Sequence, residues 1–277
     1  SHIPPDILVA RDYERAAHER LEGGVLDYIA GASGDERTLR ANIRHDLKPP
    51  YIGPLPGAKL TFRQSLLQES PSEQLIRRLA DAEIPPHFLR CDITDCADYG
   101  FKIEQLIAKL GGCDVLINNA ASDDRHALDD VTPAYWDERM AVNLKHQFFA
   151  AKAVVPAMRA AGGGSIVNMG SISWHLGLQD LVIYQTAKAA IEGLTRTLAG
   201  RYGVDHVRVN SLIPGWVMTE RQLARWLDAN TVKEIKSQQA IKLPLQPDDI
   251  VDMALFLASE DSRMLTAQSI IVDGGWV

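Results

Sequence analysis

From Asp114 onward, apolar stretches of strand length alternate with segments of helical period, and this alternation constrains the fold more than any other feature. Asp114–Asn118 is a short apolar run that ends in polar residues. Pro133–Arg159 follows as a long helical pattern, with Trp136, Met140, Leu144, Phe148 and Val155 near helical spacing, and stops at Gly162-Gly163-Gly164. Ser165–Asn168 reads as the next strand, and Tyr184–Tyr202 as a helix with Ala187, Ile191, Leu194 and Leu198 on one stripe. Val207–Ser211 is again a strand, Asp248–Ser259 a helix and Ser269–Val272 a last strand. Strands that are apolar throughout need cover on both faces. The pattern therefore predicts an α/β fold of three layers, a doubly wound parallel sheet between helices. Sheets of this kind take ligands at the carboxyl ends of their strands.

Composition excludes several classes. Of 277 residues, 46% are hydrophobic, enough for a substantial core. Lys plus Arg number 29 against 36 Asp plus Glu, a net charge of −7, and no basic stripe offers itself to nucleic acid or an anionic membrane. No apolar run is long enough to span a bilayer and no signal-peptide pattern opens the chain, so a cytoplasmic location is expected. Cys91, Cys96 and Cys113 show no CxxC spacing and read as reduced thiols, and the eight histidines are scattered without ligand spacing, so no metal is expected.

Tyr184-Gln-Thr-Ala-Lys188 places a phenol and an ammonium at i and i+4 on one helix face. A nearby ammonium favours phenolate, which suits the tyrosine to general acid/base work on a hydroxyl or carbonyl. Ser171 lies just past the strand ending at Asn168, where it could hydrogen-bond the same oxygen. Asn143, inside the long helix, could hold a water that relays protons to Lys188.

A YxxxK pair alone is most often a solvated surface contact. The order of motifs changes its weight. Asn118-Asn-Ala-Ala121 after a strand, Asn143, Ser171, Tyr184 with Lys188, Asn210-Ser-Leu-Ile-Pro-Gly215 with Thr219, and Val272-Asp-Gly-Gly275 together resemble the short-chain dehydrogenase/reductase family over residues 76 to 277. The resemblance implies a Rossmann-like fold, NAD or NADP as cofactor, and a cytoplasmic homotetramer built on the two long helices. It makes Tyr184 the acid/base, Lys188 its tuner and a ribose ligand, Ser171 the orienter of the substrate oxygen and Asn143 the end of a proton relay. Asp92, with Ile93 beside it, would meet the adenine. Asn118 and Ala120 would line the cofactor, and Ile213 to Val217, with Pro214, Gly215 and Val217 foremost, and Thr219 would hold the nicotinamide end.

Ser122-Asp-Asp-Arg-His126 and Gly170-Ser-Ile-Ser-Trp-His-Leu-Gly177 resemble the sugar dehydrogenases of that family, which oxidise D-xylose or L-arabinose at C1 to the lactone. A polyol wants several hydrogen-bonding side chains and an aromatic face. Asp123, Ser173, His175, Gln185 and Trp174 are the candidates. The plainer alternative is that Trp174 and His175 pack a loop and that residues 123–126 form a solvated turn. Arg125 is expected to pair with Asp123 or Asp130, and Thr186 to pack the helix.

Residues 1–56 depart from the family, and a single domain is expected to run over 57–277 behind this atypical segment. The place of the glycine-rich phosphate loop is taken by Ala30-Gly31-Ala-Ser-Gly34-Asp35-Glu36. It keeps Gly31 and Gly34 but sets two carboxylates where a pyrophosphate would sit, which is repulsive. Residues 10–45 also resemble the start of FMN-dependent 2-hydroxyacid oxidases, whose barrel is absent here. The segment is thus read as a foreign piece joined to the dehydrogenase. Val25–Ile29 becomes either a first strand or part of a helix, and the helix formers over 10–30 tilt the expectation to helix. Gly57–Phe62 reads as a second strand. Arg63 and Gln64 follow it, where an acidic ribose ligand is usual; Arg63 would suit a 2′-phosphate or stand as an edge residue. A catalytically silent relative with a damaged phosphate loop is the alternative function.

Overall fold

The computed structural model describes residues 87, 89–219, 222 and 229–277, and the backbone of 27–30 and 59–62. Strand β1 (Asp27–Ala30) pairs in parallel with β2 (Lys59–Phe62), Asp27 opposite Lys59. β1 also runs beside β3 (Val115–Asn118). From β3 the ladder continues in parallel through β4 (Gly164–Met169), β5 (Val207–Pro214) and β6 (Ser269–Val272). Extended backbone at residues 27–30 corrects the helical expectation there. Helix propensity is a weak local preference, and pairing with β2 outweighs it. The readings placed on residues 10–26 and 31–56 lie outside the described residues.

Helix α1 (Cys96–Leu110) starts on Asp95, whose carboxylate accepts from the Ala97 and Asp98 amides at 3.1 Å, and ends on Gly111 at φ 83°. That left-handed conformation favours glycine. α2 (Pro133–Met140) is capped by Thr132 and carries proline at its first turn, where no amide hydrogen is needed. It runs through a π turn at Ala141–Lys145, where the His146 amide reaches back to Ala141 O, into α3 (His146–Ala161). The extra residue rotates everything after it. Phe148, expected on the same stripe and lying after the turn, is 43% exposed, while Ala150, Ala151, Val154 and Met158 join the expected Val155 in the core; Trp136, before the turn, is 38% exposed.

The single-turn α4 (Ser173–Leu176) leads to α5 (Val182–Tyr202). α6 (Ala229–Gln238) and α7 (Pro247–Ala258) precede β6. Successive strand residues point to opposite faces. Leu116, Ile166, Val207 and Val209 join a core with α1, α3 and α5, whereas Ile117, Val167, Met169 and Leu212 join another with Ile250, Ala254 and Leu257 of α7. Burying each such aliphatic side chain stabilises the fold by about 1.5–3 kcal/mol.

Candidate functional site

α5 crosses the sheet so that its first turns stand over the carboxyl ends of β4 and β5. Tyr184 and Lys188, one turn apart, come together there, with Lys188 Nζ 5.4 Å from the Tyr184 ring centre. Lys188 is 1% exposed, and its Nζ donates to Met169 O, the last carbonyl of β4, at 2.7 Å. Burial pushes its pKa down to about 7, against a weaker upward pull from the Asp123 carboxylate. Ser171 sits just beyond β4. Its Oγ accepts from the Ser173 amide at 3.1 Å, which fixes the hydroxyl at the start of α4.

Behind these groups a polar network ties strand ends to helices. The Asn118 amide donates to Asn168 Oδ1 at 2.9 Å, and Asn168 Nδ2 donates to Thr195 Oγ1 on α5 at 3.0 Å. Asn143, fully buried in the π turn, accepts from the Ser122 amide at 2.8 Å and donates to Arg139 O at 2.9 Å. Its side-chain oxygen therefore holds the loop after β3, while its side-chain nitrogen bonds back to its own helix at Arg139. Arg139 reinforces that loop through Ser122 Oγ and Asp124 Oδ2, each at 3.0 Å. His146, next along the helix, is kept neutral by burial and by nearby Lys188, its pKa lowered to about 3.

A cavity of about 250 Å³ opens at this end of the sheet. Ser171, Tyr184 and Lys188 line it, as do the expected Asp123, Ser173, Pro214, Gly215, Val217 and Thr219. Asn118, Ala120 and Asn143 are buried and do not reach its wall. Trp174 is turned away, its Nε1 donating to Glu192 Oε1 at 3.2 Å and its ring against His175, 3.7 Å between centres. Gln185 donates to Leu178 O. Neither these two nor the exposed His175 lies on the lining. Asp92 is exposed and closes a turn on Thr94, whose amide donates to it at 2.9 Å, while Ile93 is 2% exposed and belongs to the core. Gly31, Gly34 and Gln64 lie outside the described residues.

Arg125 and Gln222 were not foreseen on the lining, and Trp216, expected at the nicotinamide end, makes contacts that were not foreseen. Arg125 pairs with Asp180, and its guanidinium carbon lies 6.0 Å from the Trp216 ring. Trp216 Nε1 donates to Gln222 Oε1 at 3.0 Å, and Gln222 Nε2 donates to Asp123 Oδ2 at 2.7 Å. Thr186, expected in packing, is exposed and bonds Val182 O at 2.8 Å.

The donor set suits a nucleotide cofactor laid along the strand ends. Gly215 must be glycine, since a Cβ there would lie 2.7 Å from Asp273 Cβ, and its lack of a side chain keeps the wall between β5 and β6 low. The hydroxyls of Thr219 and Tyr184 and the Lys188 amine converge on the same opening. Among the described residues, no group of three His, Cys, Asp or Glu could hold a metal, and no helix is long and apolar enough to cross a membrane.

The enoyl-(acyl carrier protein) reductase family model matches residues 57–277. D-xylose 1-dehydrogenase of Caulobacter vibrioides is 44% identical over 261 residues, 94% of this chain and 98% of that protein, so the likeness extends into the segment before residue 57. A probable galactose dehydrogenase of Rhizobium meliloti is 46% identical over 219 residues, 79% of this chain and 85% of its own. The crystal structure of a gluconate 5-dehydrogenase from Burkholderia cenocepacia, in complex with NADP and tartrate, matches with a TM-score of 0.79 at 26% identity. It covers 94% of this chain and 98% of that one.

Proposed function

This chain belongs to the short-chain dehydrogenase/reductase family, and we propose that within it the protein is an NAD(P)-dependent sugar oxidoreductase. It oxidises an aldose at its C1 hydroxyl, a pentose such as D-xylose or L-arabinose, to the lactone. The observation that carries this reading is the meeting of Ser171, Tyr184 and Lys188 on one cavity at the strand ends. Likeness to the xylose and galactose dehydrogenases supports the substrate class.

In this reading Tyr184, as its phenolate, takes the proton of the hydroxyl being oxidised and becomes the phenol, and Ser171 hydrogen-bonds the same oxygen and orients it. Lys188 sets the electrostatic environment of the phenol from beneath, its amine anchored on Met169 O. Asn143 holds the loop that carries Asp123 and, with a bound water, ends a proton relay to Lys188. Ser173 is 7% exposed, lines the cavity, and its Oγ has no partner among the described residues, which supports it as a ligand for a sugar hydroxyl. When bound, the nicotinamide supplies the two-electron acceptor. Pro214, Gly215, Val217 and Thr219 would hold its end of the cofactor, Lys188 a ribose, Asp92 the adenine, and Gly31, Gly34 and Gln64 the phosphate and ribose side. The same reading has a cytoplasmic homotetramer, supported by exposed Trp136 and Phe148 on α2 and α3 and tested by light scattering.

Titration with NADH and NADPH, followed by cofactor fluorescence, tests the reading first. Micromolar binding followed by turnover of a pentose in a sugar panel is the expected result. Absence of binding at millimolar cofactor would overturn it in favour of a silent relative.

A further inference from the structure

The charge balance of the cavity carries a substrate rule of its own, which rests on the aldose reading above. Besides the acid/base Tyr184, three lining side chains can carry charge: Asp123, Arg125 and Lys188. Lys188 is buried with its amine directed at a backbone carbonyl. Arg125 is the permanent cation, because a guanidinium does not lose its proton in a protein. Its Nη1 donates to Asp180 Oδ2. One residue along, the His126 amide donates to Asp180 O at 3.0 Å, so a backbone bond holds the two loops at the separation the ion pair needs. Trp216 packs near the same guanidinium. Asp123 adds a carboxylate to the wall, with the neutral Gln222 amide donating to it.

We propose that Asp180 is a built-in counter-ion that keeps Arg125 from taking a carboxylate ligand, so that the cavity admits uncharged sugars and turns away sugar acids. An aldonate in this cavity would bring its carboxylate toward Asp123 and find the Arg125 charge already answered. Specificity of this kind comes from repulsion as much as from fit. The rule has a consequence for product. The lactone is neutral, and water opens it to an aldonate and a proton. A cavity that accepts aldose and lactone but not the acid is not inhibited by its own hydrolysed product.

Competition in the full chain reads this directly, with D-xylose turnover measured against rising D-gluconate and against neutral xylitol. Wild-type protein should be inhibited more strongly by xylitol than by gluconate. Asp180→Asn should strengthen gluconate inhibition by about tenfold, the usual scale of one charge-assisted contact. Arg125→Gln added to Asp180→Asn should abolish that gain. Wild-type inhibition by gluconate equal to that by xylitol, or no change in Asp180→Asn, overturns the proposal. If thermal melting shows that Asp180→Asn does not fold, the wild-type comparison decides alone. If no aldose is oxidised, the functional reading fails separately, and calorimetric titration of the NADH-loaded protein with D-xylose and D-gluconate still decides the charge rule. Tighter binding of gluconate overturns it, and binding of neither overturns both.

Discussion

The two faces of one sheet are built on opposite terms. Toward α7, β3 to β5 send aliphatic side chains, and the polar ones among them have partners. Ser165 Oγ donates to Leu257 O at 2.7 Å, Arg208 to Ser262 Oγ at 2.8 Å and Asn210 to Leu265 O at 2.9 Å. Toward α3 and α5 the same strands send Asn118 and Asn168, and the helices return Lys188, His146 and Gln147, all buried. There His146 Nε2, Asn118 Oδ1 and both polar atoms of the Gln147 side chain have no partner among the described residues. Leaving such groups dry costs about 1–3 kcal/mol each, so ordered water is the expected filling. One face supplies stability, and the other spends some of it on holding reactive groups in place.

Substitutions on each face should break this contrast in different directions. Tyr184→Phe has the largest expected effect, a loss of roughly 10³-fold in kcat at unchanged melting temperature; NADH absorbance and calorimetry read the two. Lys188→Met should cost roughly 10²-fold in kcat and also change the pH dependence of stability. With its pKa lowered to about 7, folded Lys188 binds fewer protons than the unfolded chain between that pH and 10.5. Wild-type stability therefore gains a rising term across that window, and Lys188→Met should lack it in melts taken from pH 7 to 10. Leu257→Ala, on the opposite face, should lower stability by about 2–5 kcal/mol through the cavity it leaves, with kcat per folded molecule nearly unchanged in urea-free assays. His146→Gln is the smallest. The neutral ring, with a pKa of about 3, binds fewer protons than the unfolded chain from there to pH 6.5, so stability is lost as pH falls through that range. Acid unfolding followed by circular dichroism should be shallower in the variant.

Much of the sheet was legible because its strands are continuous apolar runs. Ser269–Val272 falls where it was read, and β4 and β5 only extend the expected spans. Tyr184 and Lys188 were legible for a local reason: helical spacing alone puts them together. The polar pocket was not. Trp174 and His175 are neighbours of Ser171 in sequence, but α4 turns them outward, and the wall is completed by Trp216 and Gln222 from a segment far along the chain. Arg125 was matched to acidic residues nearby in sequence, while its partner Asp180 is 55 positions away. Sequence proximity is a poor guide where three loops converge. The exposed Phe148 escaped notice because a helical wheel assumes a constant twist, which the π turn interrupts.

That π turn has a consequence for anyone redesigning the chain. Deleting one residue between Ala141 and Lys145 would restore ordinary helical geometry. It would also turn His146–Ala161 by about 100° relative to α2. Asn143 could no longer hold Ser122 while Ala150 and Val154 stay in the core. The irregular turn is a phase adjustment between two halves with different tasks, and an optimiser that idealises helices one at a time would remove it first.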